Sequence, residues 1–172
     1  MKNIYSNIFS FNKKILKKTV KILKQGNNVG LPTETVYGLA GNAYSKKAVK
    51  GIYKLKKRPN KNPLIVHYIS VEGAKRDVFL NEDFFKLYKK FCPGPLTFVL
   101  KKKKNSKIVS EVTANLKTVA IRFPNHKIVR AVLQLVKFPL AMPSANISTQ
   151  LSPTNAYDVF DNFKKKLNII KL

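Results

Sequence analysis

Three short stretches carry side chains whose types and spacing could do chemistry: LPTETVYGLAG at 31–41, KKRP at 56–59 and PSAN at 143–146. The first sets Thr33, Thr35 and Tyr37 between a proline and two glycines after an apolar lead-in. It reads as a strand ending in a polar loop that offers hydroxyls and bare backbone N–H groups to a small anion. In the second, Lys56-x-Arg58 joins a point-charge ammonium to a planar fork, a pair able to clamp separate oxygens of a polyphosphate. K-x-R alone is ordinary surface charge, but Pro59, Asn62 and Pro63 pin this one in one shape. Ser144 and Asn146 put a hydroxyl and an amide on one loop after a strand, which suits either ligand contacts or a plain turn.

Arg122 interrupts the apolar run VAIRF, so it either closes a structural ion pair or receives a carboxylate or phosphate at the strand's end. His67, inside LIVHY, is either a satisfied core histidine or a ligand group working with the nearby Lys56 and Arg58. Neither glycine-rich phosphate cradle, G-x-x-x-x-G-K-[ST] or G-x-G-x-x-G, occurs, so a nucleotide would be held by side chains. Glu34 is the one carboxylate within these stretches, and no Ser-His-Asp or Cys-His order stands out. That disfavours a hydrolase built on paired acids. Cations, hydroxyls and amides suit a reaction run by positioning and charge neutralisation, as in nucleotidyl transfer.

The elements that must position these groups follow from periodicity. Residues 12–25 read as an amphipathic helix with Leu16, Val20 and Leu23 on one face and Gly26 as its stop. Residues 29–31 form a short strand into the first loop. Ser45 caps a helix to about residue 55, which leaves Lys56 and Arg58 at or just past its end. Further strands are expected at 64–69, 96–100, 119–123 and 139–142, with helices capped by Asn81 and Asn125 and a last helix starting at Thr154. The run 167–172 reads as a strand inside which the chain stops. Alternating strands and helices argue an α/β or α+β layered domain with a mostly buried sheet, one domain across 172 residues.

Composition adds charge. Lys and Arg total 34 against 8 Asp and Glu, a net +26, which would attract nucleotides, RNA or an anionic membrane surface. Only four of the 34 are arginines, and Lys, Asn and Ile are all abundant, the mark of a compositional bias that makes most lysines a solvated surface. Arg58 and Arg122 are the informative cations; Arg76 and Arg130 sit in helix-like stretches. No apolar run reaches the roughly 18 residues of a bilayer span, and MKNIYSNIFSFNKK lacks a clean leader pattern, so a cytoplasmic protein is expected. One cysteine and two distant histidines give no structural metal site.

Taken in order, PTETVYGL, YKLKKRPNKNPLIVH, FCPGPLT, VAIRFPNH and PSANIS followed by SPTNAYDV closely resemble the YrdC-like family of threonylcarbamoyl-adenylate synthases. The resemblance runs from about residue 13 to the end. It implies a YrdC-like twisted mixed α/β sheet with flanking helices and a concave basic face. It further implies an enzyme joining L-threonine, bicarbonate or CO2, and ATP into threonylcarbamoyl-AMP and pyrophosphate, with Mg2+ accompanying ATP, in the N6-threonylcarbamoyladenosine modification of tRNA. Matched residue by residue, Lys56 and Arg58 become catalytic, and Lys56, Arg58, Asn62, Thr118, Asn146 and Ser152 fall to ATP. Thr33, Thr35, His67, Arg122 and Ser144 fall to threonine, with Tyr37 beside them. Expected partners are tRNA or double-stranded RNA and the proteins that pass the threonylcarbamoyl group on. A non-catalytic RNA-binding module of the same fold is the alternative, and a related carbamoyl-transfer domain of larger hydrogenase-maturation proteins a third. Cys92 stands where the family often has an aromatic residue and Thr149 where it has glycine. Members also continue into an E-S-T-V-like motif and a further arginine near the nucleotide, so this is expected to be either a fragment lacking its C-terminal end or a naturally shortened member with an incomplete ATP site, the stop inside a strand at 167–172 favouring the fragment.

Overall fold

In the computed structural model, residues 4–172 are described; Met1 to Asn3, the start of the stretch examined for a leader, lie outside them. One eight-stranded mixed sheet organises the chain, in the order β1-β8-β2-β3-β7-β4-β6-β5. Its strands are β1 (Ile8–Ser10), β2 (Val29–Pro32), β3 (Tyr37–Asn42), β4 (Ile65–His67), β5 (Thr97–Lys101), β6 (Thr118–Arg122), β7 (Leu140–Ala141) and β8 (Asn168–Lys171). Six helices accompany it: α1 (Lys13–Lys24), α2 (Lys46–Lys56), α3 (Val71–Lys75), α4 (Glu82–Phe91), α5 (Lys127–Val136) and α6 (Ala156–Phe163).

The sheet is buried from two sides by separate clusters. Leu23 of α1 and Ile128, Val129, Val132, Leu133 and Val136 of α5 pack against Val29, Leu31, Ala40, Leu140 and Met142 on one face. The i, i+1, i+4, i+5, i+8 spacing of the α5 residues is a helical stripe one face wide, and its burial is what seats α5 on the sheet. On the other face, Val49 and Ile52 of α2 and Val159, Phe160 and Phe163 of α6 join Leu39, Val66, Ile121, Ile169 and an aromatic group of Phe84, Phe98 and Phe123. Cα partners place the site: His67 lies beside Arg122 across the parallel β4–β6 pair, and Arg122 beside Thr97 across the antiparallel β6–β5 pair. Paired residues share a face, so Thr97, Arg122 and His67 form one row.

Several boundaries differ from the sequence reading, each for a local reason. The stretch 31–41 is not one loop after a strand: only 33–36 is turn, and Tyr37–Asn42 turns back as β3 against β2. Buried, with its N–H on the Pro153 carbonyl (2.8 Å), Tyr37 is a core strand residue and does not line the pocket below. His126 rather than Asn125 caps α5, accepting the Ile128 N–H on Nδ1 (3.3 Å). The last helix starts at Ala156, two residues after the expected Thr154, because Asn155 caps it by accepting from the Tyr157 and Asp158 N–H groups. The three-residue β1 and the five-residue α3 are too short to carry a periodic signal; β1 exists because it pairs with β8.

Candidate functional site

A pocket of about 230 Å³ opens where the 33–36 turn, the ends of β4 and β6, and the chain after β7 meet. Thr33, Thr35, His67, Arg122 and Ser144 all line it, together with Val36, Gly38, Ile65, Met142 and Pro143. All five residues assigned to threonine are therefore brought together from four separate segments. The volume lies just below the roughly 300–1,000 Å³ of drug-sized sites, a scale for a small metabolite.

Each wall has a physical cause. Thr33 closes the turn on itself: its hydroxyl donates to the Val36 carbonyl (2.6 Å) and accepts the N–H groups of Thr35 and Val36 (3.2 Å each). That leaves Thr35 the more exposed hydroxyl, 3.1 Å from Thr33 Oγ1 and 3.4 Å from Arg122 Nη1. Glu34 tethers the same turn to the β6–α5 connection by accepting the Asn125 N–H (3.3 Å). Behind the pocket, a Cβ on Gly38 would fall 2.4 Å from Met142 Cγ, so glycine is needed where β3 passes that side chain.

The electrostatics favour an anion. Arg122 makes no ion pair within 4 Å among the described residues, which removes the structural alternative for it. Its Nε donates to Thr97 Oγ1 (3.0 Å), fixing the fork so that its far edge faces the pocket with Thr35. Burial lowers its pKa, with the Glu34 charge opposing, yet a guanidinium stays charged. His67 is 2% exposed, and burial, then the Arg122 charge, bring its pKa down to about 3. It is a neutral imidazole at physiological pH. Backbone hydrogen bonding to Ile65 and Leu140 opposes that shift, so His67 keeps the character of a core histidine while its ring lines the pocket. No pocket-lining residue is a carboxylate.

Beside the pocket, Pro143 to Asn146 runs on from β7 along β3: the Leu39 N–H donates to the Pro143 carbonyl and the Ala145 N–H to that of Tyr37, 2.8 Å each. Asn146 is 5% exposed, its amide nitrogen donating to the Ile147 and Gln150 carbonyls (2.8 and 2.7 Å).

A family model described as Sua5/YciO/YrdC, telomere recombination, matches residues 21–171. The chain belongs to the Sua5/YciO/YrdC family. Threonylcarbamoyl-AMP synthases of Pyrococcus abyssi and Bacillus subtilis are 45% and 41% identical to it, over 86% and 84% of this chain but 43% and 42% of their own length. The chain thus spans less than half the length of these relatives. A putative threonylcarbamoyl-AMP synthase of Methanocaldococcus jannaschii, 32% identical, matches over 99% of this chain and 81% of its own length. Among solved structures, P. abyssi Sua5 complexed with L-threonine superposes with a TM-score of 0.90 at 39% identity, covering 95% of this chain and 49% of that one.

The residues this Sua5/YciO/YrdC chain would offer ATP are less gathered. Lys56 ends α2 with 1% exposure, its Nζ on the Ser144 carbonyl (2.7 Å), the Asn146 carbonyl (2.6 Å) and Asn146 Oδ1 (3.5 Å). Arg58 curls onto its own loop, donating from Nε to the Asn62 carbonyl (3.1 Å) and from Nη2 to that of Pro63 (3.0 Å). It faces a separate hollow with Lys50, Lys54 and Asn115. Thr118 starts β6 on the face that carries Arg122, two residue pairs away, a distance of about 13 Å. Ser152 lies exposed in the loop before α6. Sequence reading missed Thr97 as the partner that orients Arg122, although it quoted FCPGPLT; the cross-strand register that joins them leaves no mark in either motif alone.

It also missed Asp77, 1% exposed. Its carboxylate accepts from Tyr44 (2.6 Å), Tyr68 (2.8 Å), Ser106 (2.7 Å) and the Lys107 N–H (3.0 Å); burial, and after it the Asp77 carboxylate, raises both tyrosine pKa values well above their usual 10. This network is structural and lies off the pocket lined by Thr35 and Arg122.

Proposed function

We propose that this chain carries the threonine-activating site of a threonylcarbamoyl-AMP synthase, which joins L-threonine, CO2 or bicarbonate, and ATP and releases pyrophosphate. The observation that carries the reading is the convergence of Thr33, Thr35, His67, Arg122 and Ser144 on one pocket whose only charge is a guanidinium. The threonine carboxylate would pair with the Arg122 fork, and the Thr35 and Ser144 hydroxyls would meet the substrate's polar groups. His67 would line the pocket as a neutral imidazole behind the substrate.

In the reaction, the amine lone pair attacks the carbon of CO2, one C=O pair moves to oxygen, and a proton leaves to water, giving a carbamate. A carbamate oxygen then attacks the α-phosphorus of ATP while the bond to the β,γ-phosphates breaks, with no covalent enzyme intermediate. Arg58 would turn from its loop carbonyls toward the departing pyrophosphate, while Asn62, Thr118, Asn146 and Ser152 would hold the nucleotide. Lys56 contributes its charge from beneath the 144–146 loop. Among the described residues no three His, Cys, Asp or Glu side chains cluster, so Mg2+ would enter on the nucleotide's own phosphate oxygens, where it neutralises charge. No helix among the described residues is long and apolar enough to cross a membrane.

The test supplies ATP, bicarbonate and threonine and measures pyrophosphate. Release that requires threonine supports the reading; no release, with a full-length relative active in parallel, refutes it for this chain.

A further inference from the structure

Lys56 is among the largest fully buried side chains of the described residues, and both its main chain and its side chain are spent on one loop. Its carbonyl accepts the Ser148 N–H (2.8 Å), and its ammonium reaches the carbonyls of Ser144 and Asn146 and the Asn146 side-chain oxygen. An ammonium has three donors, and here each has an acceptor in the 144–148 segment. No carboxylate pairs with it among the described residues. A buried cation held only by neutral oxygens is expensive, and the expense is sustained because three otherwise divergent acceptors are drawn to one point. Ser144 and Pro143, on the same segment, line the pocket read above as the threonine site.

We infer that Lys56 is a positioning residue: its protonated side chain sets the 144–148 loop from below, and with it Ser144 in the pocket wall, so that the pocket keeps its shape only while Lys56 is charged. The consequence for threonine rests on the proposed function; the loop's dependence on Lys56 does not. Burial, followed by the Arg58 charge, brings the Lys56 pKa down from 10.5 to about 8. The 144–148 segment, Ser-Ala-Asn-Ile-Ser, holds no titratable side chain, so Arg58 is the charge that bears on Lys56. A neutral amine keeps two donors and loses the charge-assisted strength of both bonds to carbonyls, freeing Asn146 Oδ1. The folded pKa lies below the unfolded one, so between about pH 8 and 10.5 the unfolded chain binds more protons and this group raises stability with pH. Loss of loop order above pH 8 is therefore separable from unfolding.

The experiment follows the backbone amide signals of Ser144 to Ser148 by NMR from pH 6.5 to 9.5, in the whole chain and in Lys56→Met, with threonine affinity at pH 7 and 9. The expected result is a concerted shift of these amides with a midpoint near 8, absent from Lys56→Met, and threonine binding several-fold weaker at pH 9 than at pH 7 only when Lys56 is present. Arg58→Gln, which leaves Lys56 in place, should move the midpoint upward. Amides that do not titrate in the parent chain, or that titrate equally in Lys56→Met, overturn the inference, as does a midpoint indifferent to Arg58→Gln. A Lys56-dependent titration in a chain that binds no threonine at any pH would uphold the positioning role and refute the pocket assignment.

Discussion

Arg122→Lys is the sharpest perturbation of the pocket because it keeps the charge and changes only the geometry. In the parent chain the guanidinium divides its work: Nε is fixed by Thr97 at 3.0 Å, Nη1 lies 3.4 Å from Thr35, and the planar fork leaves an edge for a carboxylate. A lysine places one ammonium where the fork had two parallel donors. It can sit near the carboxylate or near Thr97 and Thr35, with no rigid frame to serve both. A hydrogen bond to a charged group is worth about 1.5–3 kcal/mol, so losing one of two, with the field of the charge retained, should weaken threonine binding by about 2 kcal/mol, or about 30-fold. Calorimetric titration of threonine into both proteins, in the same salt, measures it. The fold should survive, since Arg122 is half-buried at a strand end and leaves Val119, Ile121 and Phe123 untouched. Threonine affinity within threefold of the parent, in a variant with unchanged thermal midpoint, would refute the claim that the fork receives the substrate.

Four further outcomes follow from other parts of the structure. Asp77→Ala leaves the buried Tyr68 and half-buried Tyr44 hydroxyls without their acceptor, and should cost about 3 kcal/mol in denaturant unfolding without changing threonine affinity. Thr149 holds φ of +74°, a left-handed conformation costly for a β-branched residue; Thr149→Gly should raise stability by about 1 kcal/mol, seen as a higher urea midpoint. Gly38→Ala drives a methyl into Met142 and should lose about 1–3 kcal/mol, much of it recovered in the double variant with Met142→Ala. Because the folded pKa of His67 is about 3, below the unfolded 6.5, the unfolded chain binds the extra proton as pH falls through that window, and stability drops with it. By pH 5 the loss attributable to His67 should be roughly 2 kcal/mol, and His67→Gln should flatten that part of the stability–pH curve.

How much of this could be read from the residues depends on whether an interaction is local in the chain. The Ser45 and Asn81 caps, the α2 stop beside Lys56, and the apolar runs of β4 and β6 are local: a side chain meets the backbone three residues on, or a stripe repeats, and each was legible. The resemblance gave the threonine set as members of motifs; their common pocket exists only through β4–β6 pairing and the return of β7 along β3, which no motif encodes. Thr97 and Asp77 show the limit from the other side. Each matters through partners 25 to 33 residues away, Arg122 and Tyr44, and each looks ordinary among its sequence neighbours.

Lys56 is the instructive intermediate case. K-x-R reads in the sequence as a phosphate clamp, the natural reading of two cations one residue apart. The α2 C-terminus separates them: Lys56 is the last helical residue and points under the 144–146 loop, while Lys57 turns left-handed at φ +50° and throws Arg58 outward. Adjacent residues at a helix end diverge in this way because the cap breaks the helical repeat between them. The two cations therefore serve different loops: Lys56 holds the 144–146 loop from the buried side, and Arg58 lies along its own 58–63 loop, held by two carbonyls that a polyphosphate could outbid for its fork. A double-mutant cycle should reflect this division, Lys56→Met weakening threonine binding and Arg58→Gln weakening ATP binding, with coupling between them limited to the change in Lys56 protonation.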